Sequence, residues 1–211
     1  SSAASDVYKR QEPKSSLTLD TYYKTSADII GNVNYLYRDG APDKMGNMTG
    51  AYRGSSLSVM NMVTGYFVNE YEGQEVDCSY ARQLTRQDFT QSCCNYLTND
   101  TWKSCYKSIN VANAVIKYVD GVEMDNQAQY KAEARFFRAL NYFYLVKMFG
   151  DVPMVTEPTE DATLVEYPTR TAASEVFNTV IIPDLQFAVE NLPNATFAGN
   201  SHRVTKYAAD M

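Results

Sequence analysis

Residues 132–153 read AEARFFRALNYFYLVKMFGDVP, and they decide the fold because apolar and aromatic side chains occupy nearly every side of the helix they form. Phe136, Phe137, Leu140, Phe143, Tyr144, Leu145, Met148 and Phe149 leave almost none of the polar face that a surface helix keeps. Such a helix is buried all round, with other helices packed on both sides of it. Glu133, Arg135 and Arg138 are then charges beside a core, and each needs a partner because burying an unpaired charge is costly. The helix stops where Gly150 can take the left-handed position past its end and Pro153 cannot continue it.

The flanking sequence supplies the helices that cover this one. Asp20 is read as the cap of a first helix over about 21–37, with Tyr22, Ile29, Ile30, Val33 and Leu36 at apolar positions. Residues 40–54, with repeated glycine and Pro42, are a loop. Residues 55–70 read as a second helix through Leu57, Met60, Met62, Val63, Tyr66 and Phe67. A third starts near Thr98 or Asn99, carries Trp102, Cys105, Tyr106, Ile109, Ala112, Ile116 and Val119, and ends at Asp120-Gly121. The opening stretch belongs to the fourth, over about 126–149. After a mainly extended 152–170, a fifth begins near Thr171 and presents Val176, Phe177, Val180, Ile181, Leu185, Ala188 and Val189, with a kink expected at Pro183. A sixth opens at Val204 or Thr205. Helices three and four, then five and six, alternate as antiparallel pairs. The expected fold is therefore all-α, built of tetratricopeptide-like helical repeats in an α–α superhelix with long irregular loops, although the repeat signature itself is degenerate.

Composition excludes several functions. The 211 residues carry 19 Lys and Arg against 25 Asp and Glu, a formal charge of −6, with no basic stripe to track a phosphate backbone, so nucleic acid is not an expected partner. No apolar run reaches the roughly 18 to 20 residues that span a bilayer. Cys78, Cys93, Cys94, Cys105 and the single His202 have no metal-ligand spacing, and neither a metal nor another cofactor is expected. Cys93 and Cys94 can each bridge to Cys78 or Cys105, or all can be buried thiols; spacing leaves both open. No GxSxG, no phosphate-cradling glycine loop and no cysteine beside a base occurs, so an enzyme is not expected. The acidic run Glu157, Glu160, Asp161 and Glu166 reads as a solvated loop rather than a cation site. Three Asn-x-Thr triplets, at Asn47, Asn99 and Asn194, are explained by chance.

Seventeen tyrosines are the unusual feature. A tyrosine offers a flat apolar face with a polar tip, which suits wet ligands such as sugars or peptides, although most tyrosines here are expected to fill seams between helices. The long polar segment over 72–96 is where binding is expected, because long ordered loops on a helical scaffold commonly carry it. Its Glu75, Asp77, Tyr80, Arg82, Asn95 and Tyr96 combine hydrogen-bonding groups with stacking faces, and they are the candidate ligand-binding residues.

The AEARFxRAL start, the aromatic run and the FGDVP exit resemble the SusD/RagB family of surface nutrient-binding lipoproteins of Bacteroidetes-type bacteria. Three further segments carry the same resemblance in order: SSLTLDTYYKTSADIIGNVNYLY; TWKSCYKSINVANAVI, through Trp102, Tyr106, Ile109 and Asn113; and RTAASEVFNTVIIPDLQFAVENLP, through Arg170, Glu175, Ile181, Asp184, Leu185, Ala188, Leu192 and Pro193. RVTKYAA fits the start of the following helix. The resemblance implies a non-catalytic binding protein on the outward face of the outer membrane, held by an N-terminal lipid anchor. It would capture oligosaccharide or peptide nutrients and deliver them to a SusC-like TonB-dependent transporter. It also implies that this chain is the N-terminal part of a protein more than twice as long, truncated at both ends. Residues 6–11, DVYKRQ, match one reading frame of a transposon-end adapter used in shotgun library preparation, so 1–11 are read as an artefact and 12–211 as native. Two other readings stand beside this one. An intracellular helical-repeat scaffold would be marked by cytosolic fractionation, and a helical glycoside hydrolase by turnover of an oligosaccharide.

Overall fold

The computed structural model describes residues 18–38, 63–66, 83, 85–88, 92–159, 169–195, 199 and 202–211, with the side chains of 92–100 left aside. Its order is α1 (Leu19–Tyr22), α2 (Ser26–Arg38), α3 (Ser92–Tyr118), a 3-10 turn (Val119–Gly121), α4 (Gln127–Phe149), α5 (Ala173–Val176), a π-helical turn (Phe177–Ile181), α6 (Ile182–Asn191) and α7 (Lys206–Asp210). The expected all-α class holds. Among the described residues there is no strand, only a bridge in which Val152 and Thr171 exchange backbone hydrogen bonds of 3.2 and 2.9 Å.

Two expected helices are corrected. The first, expected over 21–37, is broken before Ser26 by a reciprocal cap. The Thr25 hydroxyl accepts from the Asp28 N–H at 3.3 Å, while the Asp28 carboxylate accepts from the Thr25 hydroxyl at 2.7 Å and the Thr25 N–H at 2.8 Å. That satisfies two backbone donors, so a new helix starts there; Asp20 lies inside α1 rather than capping it. The same bonds from Thr25 hold the Asp28 carboxyl below the usual carboxylate range. The second, expected over 55–70, is interrupted. Residues 63–66 form a turn in which Gly65 has φ 77°, and the remainder of that span lies outside the described residues.

The other boundaries follow local chemistry. α3 begins at Ser92, earlier than the Asn99 cap suggested. α4 enters through Asn126 at φ 55°, a left-handed position that Asn tolerates, and leaves through Gly150 at φ 69°. Pro183 falls in the first turn of α6, directly after the π-helical turn, so its missing N–H sits where the hydrogen-bond ladder has already been reset.

α4 is the axis of the molecule. It packs against α3 along one side and α6 along the other, with α2 lying on both α3 and α4. Its N-terminal half, through Phe136 and Phe137, shares a core with Ile29, Val33 and Leu36 of α2 and Val115 of α3. Its C-terminal half, through Tyr142 and Leu145, shares a second core with Cys105 and Ile109 of α3, Val176 of α5, and Val180 and Ile181. Burying side chains of this size contributes about 1.5–3 kcal/mol each, which makes the two cores the dominant favourable term. No helix among the described residues is long and apolar enough to cross a membrane.

Candidate ligand-binding surface

Glu133, Arg135 and Arg138 of the opening stretch are each held by structure. Asp184 of α6 is fully buried and accepts from Arg138 Nε at 2.6 Å, from the second Arg138 terminal nitrogen at 2.9 Å and from Arg135 Nε at 2.6 Å. Arg138 reaches the other way with its remaining nitrogen, donating to Asn113 Oδ1 of α3 at 2.9 Å. One guanidinium thus ties three helices. Glu133, also fully buried, accepts from Arg203 Nε at 2.8 Å and from an Arg203 terminal nitrogen at 2.7 Å, and the Tyr37 hydroxyl donates to it. Burial pushes the Glu133 carboxyl up, and the bonds from Arg203 and Tyr37 pull it back. Glu133, Asp184 and Arg138 face their partners in the core, away from any ligand, and Arg135 is half-buried at its edge.

The segment after α4 is fixed by polar side chains from α3 and α4. The buried Tyr142 hydroxyl donates to the Val155 carbonyl at 2.7 Å and accepts from the Val155 N–H at 2.6 Å, imitating a strand partner. Burial pushes this phenol up to about 12. The Tyr106 hydroxyl donates to the Pro153 carbonyl at 2.7 Å, Asn113 Nδ2 donates to the Val155 carbonyl at 3.0 Å, and Asn110 Oδ1 accepts from the Thr159 N–H at 2.8 Å. Sequence reasoning missed this clamp apart from placing Tyr106 and Asn113 in a motif. The available signal was the polar stripe Tyr106, Asn110, Asn113 at one-turn spacing on an otherwise apolar helix. Glu157 of the acidic run meets Lys117 at 3.3 Å on the surface, a contact of little energetic weight.

Glu75, Asp77, Tyr80 and Arg82 lie outside the described residues. Asn95 and Tyr96 lie in α3, not in the irregular segment to which they were assigned. Trp102 packs against Tyr106 at 5.0 Å and Phe149 at 5.1 Å between ring centres. Of the cysteines, Cys105 is fully buried, and the side chains of Cys93 and Cys94 are among those left aside. No cluster of metal-binding side chains is present among the described residues. One open concavity there, about 660 Å³, lies between the start of α2 and the α3–α4 connection, with Ser26, Glu123, Asp125 and Asn126 on its polar rim.

A family model described as starch-binding associating with outer membrane, the SusD-like family, matches residues 40–210. The SusD-like protein P2 of Formosa agariphila is 26% identical over 190 residues, covering 89% of this chain and 35% of that protein. The crystal structure of a SusD superfamily protein from Parabacteroides distasonis superposes with a TM-score of 0.65 at 25% identity, covering 86% of this chain and 36% of that one. A laminarin binding SusD-like protein superposes with a TM-score of 0.64 at 23% identity, covering 89% and 38%, a likeness of fold. The chain spans about a third of the length of these relatives. With two cores strung along one aromatic helix, the buried charges of that helix paired by its neighbours, and a family model covering most of its length, this chain belongs to the SusD-like family.

Proposed function

We propose that the protein containing this chain is a non-catalytic glycan-binding protein of the outer-membrane surface. It captures oligosaccharide and passes it to a TonB-dependent transporter, and this chain supplies its N-terminal part. The observation that carries the reading is the match of residues 40–210 to the family described as starch-binding associating with outer membrane. The names of its relatives add support, since one binds laminarin. The physical reading agrees: the buried carboxylates Glu133 and Asp184 are held in ion pairs as scaffold, which leaves recognition to surface hydrogen bonds and ring stacking without bond cleavage. Residues 72–96, with Glu75, Asp77, Tyr80, Arg82, Asn95 and Tyr96, are proposed as part of the ligand surface.

The test uses the complete gene product. Affinity electrophoresis against soluble starch, laminarin and xyloglucan, with surface labelling of intact cells and co-purification of an outer-membrane transporter, should give retention on a glycan, surface exposure and a transporter partner. Retention by none of the glycans together with a cytosolic location would overturn the reading and favour a helical-repeat scaffold.

A further inference from the structure

We draw no further inference here: the strongest candidate, the groove between α6 and α7 lined by Ile182, Leu185, Val189 and Ala209, carries none because nothing among the described residues shows what covers it.

Discussion

Removing the Asp184 carboxylate tests whether α4 is held by its charges as well as by its rings. Asp184→Ala deletes three charge-assisted hydrogen bonds, at 2.6, 2.6 and 2.9 Å. They do not count equally. The Arg135 side chain is 23% exposed and lies 4.4 Å over the Phe187 ring, so it turns to water and keeps its stacking. The Arg138 side chain is 9% exposed and retains only Asn113, so its charge stays buried without a counter-charge. Breaking a buried pair in this way costs about 3–5 kcal/mol. Against a total stability of about 5–15 kcal/mol that is a large share. Chemical denaturation of the complete gene product, followed by far-ultraviolet circular dichroism, should show a lowered midpoint with an unchanged slope. The double variant Arg138→Met, Asp184→Leu removes both charges and should recover much of the loss, since an apolar replacement of a buried pair is often neutral. A cost below about 1 kcal/mol for Asp184→Ala, or a double variant worse than the single, would refute the reasoning.

Other substitutions probe the remaining polar ties. Arg203→Met leaves Glu133 buried with only Tyr37 to hold it, so its carboxyl rises further above the ordinary range. A carboxyl raised in the folded state favours the protonated form there, so stability is present at low pH and lost as pH rises through the folded value. The deficit of this variant should therefore be largest near neutrality and shrink on acidification, as read from denaturation midpoints between pH 7 and 4. Tyr142→Phe removes both bonds to Val155 and should cost about 1–3 kcal/mol, with the Val155 amide exchanging its hydrogen faster while α4 amides stay protected. Thr25→Ala removes one half of the cap at the start of α2 and should cost about 1 kcal/mol.

Much of this fold is legible in the residues because its strongest signal is also its structural centre. A helix apolar on nearly every side admits one packing, and Gly150 and Pro153 mark its end where the structure ends it. The demand that Glu133, Arg135 and Arg138 find partners is met, although which partners they find depends on residues as distant as Asp184 and Arg203, a matter of topology that no local pattern states. Boundaries fared worse where two local signals competed. Apolar spacing carried the first helix through Tyr23 and Thr25, yet the T-x-x-D cap at Thr25 and Asp28 satisfies two otherwise orphaned donors and starts a new helix instead. Asn99 looks like a cap, but α3 extends back to Ser92, and one side chain's preference for a cap position does not stop a helix from running through it.

The site was the least legible part, for a physical reason. Burial imposes periodicity, so a core writes itself into sequence, whereas a surface that binds sugar needs only an exposed ring and a few donors, and any polar segment contains those. Sequence reading accordingly selected 72–96 by composition and placed Tyr66 within an apolar helical face. In the structure the assignment of Tyr66 reverses: the 63–66 turn carries its ring out into water. The same residue type serves opposite ends here, since Tyr142 is buried with both hydrogen-bonding capacities of its hydroxyl used on Val155. What separates the exposed tyrosine from the buried one is where the chain turns, and at Tyr66 it is Gly65 that turns it.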